Sequence, residues 1–374
     1  MGATDRSEIR ALIEAAQDEQ RQEPPELSHD QIRDFREKGY TVLRQGLSPK
    51  MIDVMRKIVN YVVMNPNGLL KGANGTNFCG FSLHNHLLIP EWRHLAYRFP
   101  LAGLAKLLMG SSQDVVYSDD IIHASTSHCG NNSVGVGHSD QNQSPWSIER
   151  RKANGNFGDN MVVAWIAVDP LADLISMELF SGTHRAFDRN ISGASWDPID
   201  YCHWWEDLEE RDLLGGTEFP SERIVLQPGD VALFQGLTFH RVQKSSSCTL
   251  ETCRRVTIRY VDASRTRWRD DVKASVWPVV ADRRVAGELV RHVMPVVSDD
   301  GLVTAPQPFF ASNAADGFGE VIVPSRMSWL RFFVHAAMSK LGGRGDLASD
   351  IINQCPHRAR KNEESRGSRV IRSP

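Results

Sequence analysis

Residues 227–242, QPGDVALFQGLTFHRV, carry the clearest β-strand signal in this 374-residue chain. A Pro-Gly-Asp turn comes first, and a strongly apolar segment that ends at His240 follows, which is typical of a short strand between loops. No long helical pattern alternates with such segments, so the sequence predicts an antiparallel sandwich or barrel rather than βαβ units. Four more segments are likewise short and rich in β-branched and aromatic residues: DVVYSDDIIHAST (114–126), NMVVAWIAVD (160–169), SMELFSGTHR (176–185) and CRRVTIRYVD (253–262).

Residues 27–40, LSHDQIRDFREKGY, contain the start and stop signals of a helix ahead of these strands. Ser28 is a good N-cap, and Gln31 follows three residues later as in a capping box. Gly39 is a typical residue for the position just beyond a helix. Pro49 then suits the first turn of a second helix.

The domain organisation follows from these patterns. We expect a polar N-terminal extension over residues 1–26, with a short helix before a proline break. A single domain over 27–345 would hold the strand-rich core at about 114–262, interrupted by an acidic, aromatic insertion at about 196–218. The arginine-rich segment 346–374 resembles a disordered basic tail.

The bulk composition limits the classes of partner. The formal net charge is −3, with 41% hydrophobic and 24% charged residues, so no overall basic field suggests a nucleic-acid partner. The six cysteines are scattered without a metal-binding or redox spacing, which favours reduced thiols. No secretory signal and no apolar run of membrane-spanning length is present, so a cytoplasmic protein without a membrane partner is expected. The oligomeric state is left open by the sequence.

The segment VGVGHSDQNQSPW (134–146) contains two candidate metal ligands, His138 and Asp140. Residues two apart on a strand point the same way, so both side chains could bind one ion. Fe(II) oxygenases commonly hold iron with two histidines and one carboxylate and leave other positions open. His240, at the end of the apolar strand quoted above, is the best third candidate.

Other histidines compete for this role. His184 in SGTHR and His123 in IIHAST lie on the same strand-rich scaffold. His84 and His86 form a same-face pair, but the sequence shows no carboxylate near them.

A carboxylate cosubstrate would need a cation, and arginine suits a carboxylate because its planar fork binds both oxygens. Arg254 and Arg255 follow His240 on the strand CRRVTIRYV. Adjacent residues on a strand point to opposite faces, so only one of the two can enter a barrel.

In the order of these motifs, the chain resembles the phytanoyl-CoA dioxygenase-like family of Fe(II)/2-oxoglutarate-dependent oxygenases. The resemblance implies a double-stranded β-helix, the jelly-roll or cupin-like barrel, with flanking helices. It covers roughly residues 27–262 and includes six segments: the helix–strand–helix start at 27–53, HSD (138–140), AWIAVD (164–169), SGTHR (181–185), QPGDVALFQGLTFHRV (227–242) and RRVTIRYV (254–261).

The resemblance also implies roles for individual residues. His138, Asp140 and His240 would bind Fe(II), with 2-oxoglutarate and O₂ as cosubstrates. Gln141 would contact the cosubstrate region, and Trp165 would line the 2-oxoglutarate pocket. Arg254 would bind the far carboxylate of 2-oxoglutarate, whereas alignment on the nearby tyrosine of the strand favours Arg255; Arg254 is slightly preferred.

The implied activity is oxidation of a C–H bond in a small, natural-product-like substrate, with or without a carboxylate group. Hydroxylation, desaturation and oxidative cyclisation are open, each with release of succinate and CO₂. Asp140 argues against halogenation, because halogenating relatives have a small residue there. Loops 67–88 and 141–160 and the insertion 196–218 are the expected lid and specificity elements.

Two alternatives remain at this point. One is a cupin-type metal enzyme that does not use 2-oxoglutarate, and the other is a non-catalytic binding protein on the same fold. The chain also departs from the family pattern. PLADLISMELF (170–180) replaces a glycine-rich connection, and the arginine pair lies unusually far beyond His240.

Overall fold

The computed structural model describes about half of the chain, including most of the strand-rich region. His138, Gln141, most of the insertion and the basic tail lie outside the described residues. The described positions are 3–64, 80–83, 85–112, 114–124, 137, 139–140, 160–171, 174–185, 213–244, 253–264, 266, 296–297 and 303–304.

In the described part of the chain, the six α-helices all come before β3, and β1 and β2 lie between them in sequence. The helices are α1 (Ala3–Gln22), α2 (His29–Lys38), α3 (Pro49–Met64), α4 (Asn85–Leu88), α5 (Pro90–Ala96) and α6 (Leu101–Met109). The strands are β1 (Tyr40–Leu43), β2 (Gly80–Leu83), β3 (Val115–Ala124), β4 (Met161–Ala167), β5 (Ile175–Phe180), β6 (Ser221–Ile224), β7 (Val231–Gln235), β8 (His240–Lys244), β9 (Arg255–Asp262), β10 (Val296–Val297) and β11 (Val303–Thr304).

Among the described residues, these strands form two antiparallel sheets. The larger sheet has eight strands in the order β1-β7-β4-β9-β3-β10-β11, with β2 also paired to β3. The smaller sheet has the order β6-β5-β8. Non-consecutive neighbours dominate both sheets, as they do in a jelly roll. The predicted mainly β architecture with flanking helices is confirmed.

The larger sheet is buried on both faces. One face packs with the smaller sheet, so that Val163 and Trp165 of β4 share a cluster with Met177 and Leu179 of β5. The opposite face packs under the helices, where Ile166 of β4 and Ile258 of β9 share a second cluster with residues of α3, α5 and α6. Because strand side chains alternate, β4 and β7 send every second residue into the space between the sheets.

The predicted capping of α2 is confirmed. The Ser28 hydroxyl accepts a hydrogen bond from the Gln31 amide at 3.2 Å, and the Gln31 side chain accepts one from the Ser28 amide at 2.9 Å. Gly39 ends the helix at φ 92°, in the left-handed region that favours glycine. A Cβ at Gly39 would lie 2.4 Å from His184 Nδ1 and 2.5 Å from Thr238 Oγ1, so the turn into β1 also needs a small residue.

The N-terminal segment is part of the helical layer. Ile13 and Ala16 of α1 are fully buried in the cluster between the larger sheet and the helices. The Gln17 side chain donates to the carbonyl of His94 at 3.2 Å, and the Gln20 side chain accepts from the Ser48 amide at 2.8 Å. Helix α1 is therefore fixed to the start of α3 and to α5.

One expectation about cysteines is wrong. Cys253, just before β9, is fully buried and disulfide-bonded. The other cysteines of the chain lie outside the described residues. Spacing along a sequence does not measure distance in the fold, so a scattered pattern could not exclude this bond.

No helix within the described ranges has the length and apolar character needed to cross a bilayer.

Candidate active site

Strand β9 presents a polar row to the space between the sheets. Arg255, Thr257 and Arg259 alternate with the apolar residues Val256 and Ile258, which face the helices. All three polar residues are buried, with at most 8% of their surface exposed. The strand is central in the larger sheet, between β3 and β4, so the row lies in the middle of the inner face.

Arg255 is a buried cation whose charge is poorly compensated. Among the residues that the structure describes, its Nε and Nη1 atoms have no hydrogen-bond partner. Burial lowers the pKa of Arg255 from 12.5 to about 10. Its cross-strand neighbours are His123 on β3 and Ala167 on β4. The imidazole of His123 is 3.2 Å from the Thr257 hydroxyl, so further polar groups lie beside the guanidinium.

Arg254 has the opposite surroundings. Its Nε and Nη2 atoms donate to the two carboxylate oxygens of Asp169, each at 2.7 Å. The Arg254 backbone amide also donates to Asp169, and Nη1 donates to the Asn60 side chain of α3. This bidentate pair ties β9 to the end of β4 and to the helical layer. The geometry therefore favours Arg255 over Arg254 as the residue available to a carboxylate ligand.

Asp140 is buried and contacts the same polar row. Its Oδ1 atom is 2.5 Å from Arg259 Nη2, and the Nη1 atom of Arg259 is 2.7 Å from Asp119 Oδ1. Burial disfavours a charged guanidinium, but the two carboxylates outweigh it and hold the pKa of Arg259 above its ordinary value. Burial raises the pKa of Asp119, although Arg259 opposes this shift.

The expectation that His240 ends the apolar strand is wrong, because β7 ends at Gln235 and a turn separates the two residues. His240 instead begins β8 on the smaller sheet, where it pairs with Leu179. Its Nδ1 atom is 3.1 Å from the carbonyl oxygen of Thr238. A neutral ring that donates from Nδ1 carries its lone pair on Nε2, the nitrogen that would then coordinate a metal. The ring packs 4.8 Å from Phe234 of the larger sheet, measured between centroids, so His240 faces the same interior as β9.

Trp165 lies on the inner face of β4, opposite Ala232 and Thr257. It is buried, at 2% exposure, and belongs to the cluster between the sheets. Trp165 thus lies beside the polar row of β9, and its role as a wall of the 2-oxoglutarate pocket stays a prediction. Gln141 and His138, the remaining predicted site residues, lie outside the described residues.

The competing histidines occupy three different environments. His184 is buried in a short 3-10 turn, with Nε2 3.2 Å from the carbonyl of Arg36. His123 faces the interior beside Arg255. His86 has a carboxylate neighbour that the sequence did not reveal, since its Nδ1 atom is 2.5 Å from Asp120 Oδ2.

The His86–Asp120 pair lies on the helix-covered side of the larger sheet. Asp120 pairs with Ile258, whose side chain faces the helices, and His86 packs against the rings of Tyr97 and Tyr117. The pair is thus separated by the sheet from the polar row of β9.

Within the described part of the chain, no group of three or more His, Cys, Asp or Glu residues forms a metal cluster. Asp140 and His240 both belong to the interior, and the predicted partner His138 is not described. Sequence reasoning missed Asp119, Thr257 and Arg259. Alternation in RVTIRYV was the available signal for the last two, because it places 255, 257 and 259 on one face.

No protein-family model and no curated protein sequence matches the chain. Among solved structures, the epimerase SnoN in complex with Fe3+, α-ketoglutarate and nogalamycin RO has a TM-score of 0.50 at 17% identity, covering 72% of this chain and 96% of that chain. The non-haem α-ketoglutarate-dependent carbocyclase SnoK has a TM-score of 0.49 at 19% identity, covering 66% and 88%. EctD from S. alaskensis with bound Fe has a TM-score of 0.48 at 17% identity, covering 66% and 80%. The likeness to SnoN establishes the fold, a jelly-roll barrel with flanking helices.

Proposed function

We propose that the chain is a non-haem Fe(II)/2-oxoglutarate-dependent oxygenase of the phytanoyl-CoA dioxygenase-like type. The observation that carries this proposal is the buried, poorly compensated guanidinium of Arg255 on the inner face of β9. An unpaired buried charge is costly, and a carboxylate ligand would supply the missing partner in bidentate form. A cupin-type enzyme that does not use 2-oxoglutarate would have no need of this cation.

The donor set supports iron. Asp140 and His240, with His138 as the proposed third ligand, supply one carboxylate and two imidazoles, which is the set that suits non-haem Fe(II). The carbonyl of Thr238 would orient His240 through Nδ1, a type of outer contact that raises ligand basicity and fixes the ring.

We propose Arg255, rather than Arg254, as the anchor of the far carboxylate of 2-oxoglutarate. Thr257 and His123 would add hydrogen bonds near the same carboxylate, and Trp165 would wall the pocket. Gln141 keeps its proposed place in the cosubstrate region. When bound, iron and 2-oxoglutarate supply the oxidising chemistry with O₂, with release of succinate and CO₂.

The contribution of the protein is to bind, orient and exclude water. Phe234 and Trp165 present apolar surface to the interior, where they would limit water around the reacting groups. The proposed substrate is a small, natural-product-like molecule, with or without a carboxylate group, which undergoes hydroxylation, desaturation or oxidative cyclisation. The fold shared with SnoN, whose structure holds iron, α-ketoglutarate and nogalamycin RO, supports both the cofactor set and the substrate class.

The decisive experiment is an anaerobic titration of the full chain with Fe(II) and then with 2-oxoglutarate. We expect Fe(II) to bind and the chelate to give a visible charge-transfer band. Changing Asp140→Ala should abolish iron binding, and changing Arg255→Met should weaken 2-oxoglutarate binding with iron still bound. Iron binding without any band in folded protein would favour the cupin-type alternative. Absence of iron binding would favour a non-catalytic binding protein.

A further inference from the structure

Three buried charged residues, Asp119, Arg259 and Asp140, form a hydrogen-bonded network beside the proposed iron site. Arg259 donates to Asp119 through Nη1 at 2.7 Å and to Asp140 through Nη2 at 2.5 Å. Asp119 is fully buried, Asp140 is 2% exposed and Arg259 is 7% exposed. Screening by solvent is therefore weak, and each contact constrains its partners strongly.

A β-bulge in β3 brings the Asp119 carboxylate into contact with Arg259. The register between β3 and β9 shifts between Tyr117 and Asp119. Before the shift, Val116 lies in the cluster between the sheets and Tyr117 lies under the helices. Regular alternation from these two residues would turn Asp119 toward the helices. With the shift, Asp119 pairs with Arg259 and its carboxylate meets the inward-facing guanidinium. Bulges re-aim side chains in this way and occur often beside active sites.

The bulge is fixed by its own hydrogen bond. The Ser118 hydroxyl donates to the backbone carbonyl of Arg259 at 2.8 Å, and Ser118 is fully buried. The backbone of β9 at Arg259 is thereby joined to β3 at the point where the register changes. The side chain and the backbone of Arg259 are thus both hydrogen-bonded to β3.

We propose that Asp119 and Arg259 are positioning residues that hold the Asp140 carboxylate in its metal-binding orientation. This inference rests on the proposed function, in which Asp140 is an iron ligand. Arg259 occupies one side of Asp140 Oδ1, so it restrains rotation of the carboxylate and favours coordination through a single oxygen. A carboxylate free to rotate could take a second coordination position, one that the cosubstrates require.

The test compares Fe(II) affinity and the visible spectrum of the Co(II)-loaded full chain among four variants. Arg259→Met removes both contacts, Arg259→Lys keeps the charge without the fork, and Asp119→Asn weakens the outer contact. The matched control is Asp169→Asn, which weakens a buried Asp–Arg pair with Arg254 on the opposite face of β9. Thermal unfolding of each metal-free variant reports the purely structural cost.

We expect Arg259→Met to weaken Fe(II) binding by about 10–100-fold, a typical loss for an outer-shell change, and to alter the Co(II) spectrum. Asp119→Asn should show a smaller loss and Arg259→Lys a partial rescue, whereas Asp169→Asn should lower stability and leave metal affinity and spectrum unchanged. If Arg259→Met does not fold, Asp119→Asn and Arg259→Lys decide. Wild-type affinity and spectra in all folded Asp119 and Arg259 variants would overturn the inference. The proposed function would survive that result if Asp140→Ala still abolished iron binding, and both would fall if the wild-type chain bound no iron.

Discussion

Arg254 and Arg255 are neighbours in the chain, yet their guanidinium groups lie on opposite faces of β9 in opposite electrostatic surroundings. Arg254 is paired with both oxygens of Asp169. Arg255 is also buried, and two of its nitrogens have no hydrogen-bond partner within the described part of the chain. We expect Arg254 to stabilise the fold, and we propose that Arg255 binds an anion.

This contrast predicts that Arg255→Met preserves or raises the stability of the ligand-free protein. The substitution removes a buried charge that has little compensation, and replacing such charges with apolar groups is often neutral or stabilising. The free energy of unfolding in urea is the measurement. The wild-type protein should gain stability on adding 2-oxoglutarate with Fe(II), and the variant should gain little.

Arg254→Met provides the matched comparison. It leaves Asp169 buried without its main cation, so we expect a loss of about 3–5 kcal/mol in the free energy of unfolding. In protein that remains folded, the affinity for 2-oxoglutarate should stay close to the wild-type value. Equal losses of stability in the two variants, or loss of 2-oxoglutarate binding in Arg254→Met alone, would contradict the assignment.

The buried Asp120 predicts an acid-sensitive element on the helix-covered face of the larger sheet. Burial by itself would raise the pKa of Asp120, but the imidazole of His86 and the hydrogen bonds from His86 and Asn85 hold it below the ordinary value of 3.8. A carboxyl group with a lowered folded-state pKa contributes stability above its unfolded pKa and loses it as pH falls through the folded value.

We therefore expect Asp120→Asn to cost about 1.5–3 kcal/mol at pH 7, where hydrogen bonds to a charged group are lost. This difference from wild type should shrink as the pH is lowered below 3.8. Urea unfolding between pH 2.5 and 7 measures it, with Asp34→Asn, which alters a partly exposed pair with Lys38, as the control. A difference that does not change with pH would show that Asp120 contributes no charge-dependent stability.

At Gly39, we expect any larger residue to lower the stability of the fold. Alanine there must adopt a left-handed backbone and also meet His184 and Thr238 at distances below 3 Å. Gly182 has a similar positive φ of 81°, but its Cβ would lie 3.9 Å from the nearest atom, so it isolates the backbone component. Gly182→Ala should cost about 1–3 kcal/mol from the backbone conformation, and Gly39→Ala clearly more.

Because Thr238 accepts from His240 through its carbonyl, Gly39→Ala should also weaken metal binding in protein that folds. Equilibrium unfolding and Fe(II) titration of both variants test these expectations. Equal costs in the two alanine variants would show that the space around Gly39 has no influence.

The strand pattern and the helix caps were readable without coordinates. The apolar run of 231–235 became β7, and Ser28, Gln31 and Gly39 cap α2 as predicted. Such signals are local, because capping and strand texture depend on residues that are close together in the chain. The candidate site was readable only in part. Its motifs showed residue types suited to iron and a carboxylate, and alternation showed that only one of the two adjacent arginines could face inward.

The tertiary structure decided which arginine that is. Alternation places neighbours on opposite faces, but the packing partner of each face depends on which side meets the second sheet and which side meets the helices. The same packing brings Asp120 to His86, and a register shift of one residue turns Asp119 toward Arg259. The residue pattern indicates most of the strands and the chemical groups that they carry. The pairing of charges among the described residues depends on the fold, because those contacts join residues far apart in the chain.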